Sequence, residues 1–414
     1  MYKVETKITI KQLTQIEGEP LRNKILKFNF VNELSCTDSW RDFTNSGEIT
    51  FPKKLYFKDQ YGKPQRIDEN FGGFGLPSFI MRGDAITIDY YYRYYKNGIE
   101  VLEGTENVKN GTHLFDGFVT EVTSKKPLNL KFEDVFWRLK QTPVQINTFK
   151  KTDTLYSIIT TLIKPYNDKY PNDKIVIAKP LPTELVTFGE FMVGNETVAE
   201  CFGRMRKTWH FETYIKSEPS INGRYKLYCG IILYDALTPK TRTFEFQRNI
   251  ISDDLQYRKK EDIILSIVAS NSVEVSNGVT KDGKIKTKKE RLEVLVTLAF
   301  GSDKPTVKVK TPSVDFPENQ GGERLTMQYP MCKTIDDLIL KATEEIKKYY
   351  YTGYKGKFTT FGIPYTQTGD NIEIIDNILP ERNGIYKCKS VEYSAGINGI
   401  RQTIQLDYKI TTTK

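Results

Sequence analysis

Histidine is nearly missing from this chain, with two in 414 residues, His113 and His210. Acid–base catalysis at neutral pH and imidazole metal sites draw on that side chain first. His113, beside Asn110-Gly111, reads as a loop residue, and His210 follows Trp209 at a strand start; neither has a partner acid or ligand at a useful spacing. Cysteine is sparse too. Cys36, Cys201, Cys229, Cys332 and Cys388 are odd in number and far apart, which excludes a disulfide framework and a CxxC metal knuckle. They are expected to serve as small buried apolar groups. No apolar run approaches the roughly 18 residues of a membrane helix. The start, Met1-Tyr2-Lys3-Val4-Glu5, lacks the apolar core of a signal peptide, so the chain is expected to be made and assembled in a cytosol.

Charge of one sign is not in large excess either. The balance of 61 basic against 52 acidic residues gives a formal charge of +9. Over 47.9 kDa that is mild, and solvated lysines explain it as well as a polyanionic partner does.

Aromatics, by contrast, are plentiful. Tyr (25) and Phe (23) favour strands, and the length exceeds what one core organises, so several mainly β domains are expected. A phrase recurs near the two ends: Gly83-Asp84-Ala85-Ile86-Thr87-Ile88 and Gly369-Asp370-Asn371-Ile372-Glu373-Ile374. Each is a turn feeding an alternating strand, where Gly permits the turn and Asp bonds a nearby backbone N–H. Each leads to a second strand opened by a turn glycine, Gly117 in one case and Gly384 in the other. This pattern predicts one small β-barrel built twice.

Between them the period changes. Leu155, Ile158, Ile159 and Leu162 follow helical spacing, with Thr152 or Asp153 as N-cap and Pro165 stopping the run. A second helix opens at Asn195, with Val198, Cys201, Phe202 and Met205 as its apolar stripe. Strands from His210 to Ile215 and from Tyr225 to Leu233 complete an α+β unit. Later, Thr334-x-x-Asp337 reads as a capping box before Ile335, Leu338, Ile339, Ala342 and Ile346. The expected fold is therefore mainly β with an α+β insert: two similar small β-barrels flanking a middle α+β domain. The divisions fall at residues 1–146, 147–245 and 246–414, the last with an inserted helix over 334–350.

Candidate chemistry is thin. The pairs Asp253-Asp254, Asp336-Asp337 and Glu344-Glu345 are sequence neighbours that do not face one cleft, and they read as solvated surface. Phe71-Gly72-Gly73-Phe74-Gly75 lacks the Gly-Lys-Ser/Thr of a phosphate loop. The run Tyr90-Tyr91-Tyr92-Arg93-Tyr94-Tyr95 with Lys96 could stack single-stranded bases, but alternation sends half of those rings into the core. Lys281, Lys284, Lys286, Lys288 and Lys289 read as the basic tip of a long hairpin between strands at Ile263–Ala269 and Leu292–Phe300. No catalytic, cofactor-binding or metal-binding residue is assigned, and no small-molecule substrate is implied.

The C-terminal third resembles the tail-hub family of bacteriophages, the late control protein D or baseplate-hub group also found in contractile injection machines. The likeness lies in an ordered set: the helix Ile335 to Tyr350, then Gly353-Tyr354-Lys355-Gly356, Gly362-Ile363-Pro364, Gly369-Asp370, Asn383-Gly384-Ile385-Tyr386 and Val391-Glu392-Tyr393. Tyr393 stands where many relatives carry histidine. Upstream, Gly83-Asp84 with Phe115 to Val119 is similar to the family's first barrel, and Thr197 to Phe202 followed by Trp209-His210-Phe211 to its middle domain. The resemblance implies a non-enzymatic homotrimer in which six barrels surround a channel, adapting a sixfold tail tube to a threefold spike. Its partners would be tube and spike or tail-tip proteins, with DNA only as cargo, in a virion tail or baseplate assembled in the host cytoplasm. The competing readings are a single-stranded nucleic-acid-binding barrel and a tail-associated peptidoglycan hydrolase.

Overall fold

The structure is a computed structural model that describes residues 2–14, 17, 22–52, 56–58, 64–66, 80–97, 99–101, 111–123, 127–150, 152–178, 191–209, 211–220, 223–230, 238–279, 285–317, 322–329 and 332–410. The chain is mainly β, as its composition predicts. The first strands are β1 (Tyr2–Lys11), β2 (Ile25–Phe28), β3 (Glu33–Ser39), β4 (Ser46–Thr50), β5 (Tyr56–Lys58), β6 (Pro64–Arg66), β7 (Ala85–Lys96), β8 (Ile99–Val101), β9 (Thr112–Val122) and β10 (Asn129–Glu133). There follow α1 (Phe136–Leu139), β11 (Asn147–Phe149), α2 (Leu155–Lys169), β12 (Ile175–Ile177), β13 (Phe191–Val193), α3 (Val198–Trp209), β14 (Glu212–Ser220) and β15 (Gly223–Gly230). The last stretch holds β16 (Thr241–Glu245), β17 (Ile250–Arg258), β18 (Ile264–Val279), β19 (Ile285–Ala299), β20 (Thr306–Val309), β21 (Glu323–Gln328), α4 (Ile335–Tyr349), β22 (Gly353–Phe361), β23 (Asn371–Ile375), β24 (Gly384–Gly396) and β25 (Gly399–Lys409).

The two ends of the chain fold alike. The N-terminal set β1, β3, β4, β7, β9, β10 lies side by side in the order β1-β7-β9-β10-β4-β3, and the C-terminal set β16, β17, β22, β23, β24, β25 in the order β16-β23-β24-β25-β22-β17. Counted along the chain, both read first, fourth, fifth, sixth, third, second. One pairing differs: β1 is antiparallel to β7, whereas β16 is parallel to β23. The sets are not separate. β3 pairs with the far half of β24, from Ser39↔Ser390 to Glu33↔Gly396, and fuses them into one 14-stranded sheet system. A single core fills both, joining Ile8, Ile49, Ile88 and Leu130 to Phe244, Phe358, Ile372 and Ile404.

A second core belongs to the middle segment, where α2 and α3 pack near the sheet β12-β15-β14. It recruits Phe136, Leu139 and Val144, residues on the N-terminal side of the expected division at 146. At the other division, β16 is the strand just before 245, and it hydrogen-bonds β23 of the C-terminal set. The insertion between β17 and β22 is larger than a helix. There β20-β19-β18-β21 form a sheet of their own, and Leu338, Ala342 and Ile346 of α4 close a third core against it. The hairpin β18–β19 runs well beyond Ala269 and Leu292, so much of the basic segment is ladder: Lys288 and Lys289 stand opposite Val275 and Glu274.

Local helix signals hold with three shifts. α2 is capped by Thr154, whose hydroxyl accepts the Ser157 N–H at 3.2 Å, while Asp153 turns back to accept the Lys150 N–H at 2.7 Å. Pro165 lies inside α2 and does not end it. It removes one N–H, yet Ile163 and Tyr166 on either side are buried and carry the packing face past it. α3 begins not at Asn195 but after Thr197, which exchanges hydrogen bonds with Glu200 in a capping box, and α4 uses Thr334 and Asp337 in the same way.

Candidate functional site: the repeated turns and the seam between the two sheets

The Gly-Asp turns match bond for bond. The Gly83 N–H donates to the Val119 carbonyl at 2.7 Å, and the Val119 N–H returns to the Asp84 carbonyl at 2.9 Å. The Gly369 N–H donates to Cys388, and the Cys388 N–H to Asp370, both at 2.9 Å. Within each turn the carboxylate accepts the N–H three residues back: Met81 to Asp84 Oδ2 at 2.8 Å, Gln367 to Asp370 Oδ2 at 3.0 Å. The other oxygen holds the backbone beside the first strand of the set, at Leu13 and Thr14 for Asp84 and at Lys240 for Asp370. Gly83 and Gly369 have φ of 94° and 84°, a region that favours glycine.

The turns also fix the alignment of the second strands. Val119 matches Cys388, so Gly117 matches Tyr386 and not Gly384. Gly117 is no turn residue; it lies inside β9, where a Cβ would collide with the Glu133 carbonyl. A bulge confirms this frame. β9 slips against β10 at Thr120, since Glu121 faces Lys131 and Val119 faces Phe132. β24 slips against β25 at Lys389, since Ser390 faces Gln405 and Cys388 faces Leu406.

The seam where β3 meets β24 is held by three segments of chain. Asp38 of β3 accepts the Tyr214 hydroxyl of β14 at 2.6 Å and the Thr368 N–H at 2.9 Å, joining the middle segment to the second Gly-Asp turn. Burial raises its pKa above the ordinary carboxylate range against the pull of those donors. Asp134, buried nearby, accepts the Asn45 and Phe136 N–H groups, and burial pushes it up to about 7. Asp116 is engaged by Arg224 at 2.6 Å and by the Ser217 hydroxyl at 2.7 Å. These acids line one small polar cavity with Lys216 and Gln367. Each carboxylate there is committed to backbone or side-chain donors that tie segments together.

Over Tyr90 to Arg93 the tyrosine run divides as alternation requires, and the side chains of Tyr94, Tyr95 and Lys96 lie outside those described. Tyr90 and Tyr92 are buried; the Tyr90 hydroxyl donates to the Gly362 carbonyl, and the Tyr92 hydroxyl accepts the Gly362 N–H at 3.0 Å. Those two rings join the sheets and offer no face to a base. Tyr91 and Arg93 point outward, and Arg93 pairs with Glu5 at 2.9 Å.

Other residues singled out in the sequence scatter. His113 sits in β9, not in a loop, with Nδ1 3.0 Å from Asp89 Oδ1. His210, Phe71 to Gly75, Lys281 and Lys284 lie outside the described residues. Asp253 and Asp254 are exposed on β17, Asp337 is spent in its cap, and Glu344 and Glu345 pair with Lys341 and Lys348. Tyr393 is buried and donates to the Thr366 carbonyl. All five cysteines are free and buried. Among the described residues no group of three His, Cys, Asp or Glu could hold a metal. Asp38, Asp134 and Gly362 were not legible as site residues, because nothing in the sequence marks which acid or glycine a distant strand will reach.

No protein-family profile matches the chain, and no curated protein sequence matches it. Solved structures do. The 43 kDa tail protein of prophage MuSo2 from Shewanella oneidensis aligns over 98% of this chain and 98% of its own, with TM-score 0.52 and 13% identity. A tail protein from Neisseria meningitidis MC58 aligns over 98% and 96%, with TM-score 0.51 and 11% identity. At such identities the likeness establishes a shared fold, from end to end.

Proposed function

We propose that this chain is a hub protein of a phage tail or baseplate, or of a related contractile injection machine. It is a structural part: three copies surround a channel, and the two sheet sets of each supply six similar units that match a sixfold tube on one side and a threefold spike on the other. The single observation that carries this reading is the duplication, the same strand order with the same Gly-Asp bonds and the same bulge in both sets. Repeated units within one chain present repeated surfaces, and closed rings are built by joining such surfaces head to tail. The fold shared along the whole chain with two tail proteins supports the same conclusion. On this reading the partners are tube and spike proteins, DNA passes only as cargo, and assembly takes place in the host cytoplasm before the part is locked into a virion tail.

Light scattering on the purified chain, alone and with the adjoining spike protein, tests the proposal. A mass of three chains supports it. Retention of single-stranded DNA with a steep salt dependence would favour a nucleic-acid binder, and clearing of cell wall that one carboxylate substitution abolishes would favour a hydrolase.

A further inference from the structure

The seam inside the chain is a template for a seam between chains. β3 is the last strand of the N-terminal set, and it pairs with the part of β24 that lies beyond the second Gly-Asp turn. Its counterpart in the C-terminal set is β17, whose one ladder among the described residues is with β22. The counterpart of β24 is β9. Past Val119, where the first Gly-Asp turn ends its contact, β9 has no ladder on that side among the described residues. β17 and the end of β9 thus carry the counterparts of the residues that open the first seam, and among the described residues the two strands are not paired with each other within this molecule.

We infer that the β17 edge of one copy pairs antiparallel with the end of β9 of a second copy, repeating β3·β24. This rests on the ring proposed above and specifies the surface that closes it. The register follows from the matched rows. Leu34, Ile49, Leu130 and Val122 stand across the N-terminal set as Asp253, Phe358, Ile404 and Val391 stand across the C-terminal one. Transferring Thr37↔Glu392 through these equivalences places Gln256 opposite Thr123, Tyr257 opposite Val122 and Arg258 opposite Glu121. Surface and charge agree with that occupant. Ile251, Ser252, Asp253, Asp254 and Gln256 are exposed on β17, an open edge of the kind proteins usually cover. In the sequence Thr123 is followed by Ser124-Lys125-Lys126, with a basic pair, and β17 carries the acidic pair Asp253-Asp254. A heterologous contact of this kind, with different surfaces on its two sides, forms a ring when its rotation closes.

The test is a cysteine pair, Thr123→Cys with Gln256→Cys, oxidised in the full chain and run without reductant. Paired strands bring Cα atoms within disulfide reach, so covalent dimers and trimers should form at least tenfold more than with Thr123→Cys and Ser252→Cys, which are out of register. Thr37→Cys with Glu392→Cys should close within one chain and reports that the oxidation works. A trimeric mass without the intermolecular disulfide overturns this interface and leaves the ring standing. A monomer with no disulfide at any concentration overturns both. As a second variant, Asp253→Lys with Asp254→Lys should keep the thermal midpoint of the monomer and weaken self-association tenfold or more; unchanged association contradicts the inference.

Discussion

Tyr90 in β7 and Gly362 at the end of β22 are joined by a hydrogen bond across 272 residues of sequence, and Tyr92 two residues on takes the N–H of the same glycine. Two side chains of the N-terminal half thus hold one glycine of the C-terminal half by both its N–H and its carbonyl. Replacing Tyr90 or Tyr92 by Phe removes one buried bond and leaves its partner unsatisfied, which should cost about 1–3 kcal/mol each. Gly362→Ala should cost more, because a Cβ there would lie 2.6 Å from Ile400 Cγ2 and 2.8 Å from the Tyr92 hydroxyl. Urea unfolding of the three variants checks the order.

The matched turns should not be equally sensitive. Asp84 pairs at 2.7 Å with Arg22, and both side chains are almost fully buried. Asp370 meets Arg242 only at 3.5 Å, with that arginine 24% exposed. Asp84→Ala strands a buried cation and should cost about 3–5 kcal/mol, whereas Asp370→Ala should cost clearly less. Equal losses in thermal midpoint would show that the arginines do not matter.

Asp134 gives the fold a pH dependence with a defined sign. Its folded pKa is raised from 3.8 to about 7, chiefly by burial. Between those values the folded chain keeps a proton that the unfolded chain has lost, so stability is greatest at the acidic end and falls as pH rises toward 7. Above that both states are ionised and the slope from this group vanishes. The full shift corresponds to at most roughly 4 kcal/mol. Asp134→Asn should flatten the profile of urea midpoints between pH 4.5 and 8, although it loses one backbone bond.

How much of this could be read from the chain alone depended on whether the signal was local. The Gly-Asp phrase exposed the duplication because its turn needs Gly at positive φ and Asp within reach of a nearby N–H, requirements that leave a mark in six residues. The capping box at Thr334 was legible for the same reason, whereas the one at Thr197 went unread and the helix was expected to open at Asn195. Gly117 misled: as a glycine before a strand it resembled Gly384, but its cause is the close approach of the Glu133 carbonyl from another strand. The split at 245 fell beside a strand that pairs with β23, far along the chain. Asp38, Tyr214 and Thr368 meet only after three segments have folded, and no spacing rule relates them.

α4 offers a local test. Thr334→Ala removes a capping box and should cost about 1 kcal/mol. Because α4 covers its own core of Leu265, Ile267, Val294 and Val296, hydrogen exchange should quicken in α4 and β18–β19 and stay unchanged in β1 and β7. Uniform quickening would mean that the insertion does not behave as a distinct packing unit.

The five buried thiols make a simple probe of the native state. A thiol reagent should modify none quickly in native protein and all five after unfolding. Rapid labelling of Cys36 or Cys388 would place the β3·β24 seam open in solution.

The duplication is the central claim, and averaged electron-microscope images of the assembled particle address it most directly. A ring of three 47.9 kDa chains viewed down its axis should show six similar densities and a strong sixfold rotational component. A particle of another copy number, or three lobes with no sixfold component, would contradict the account.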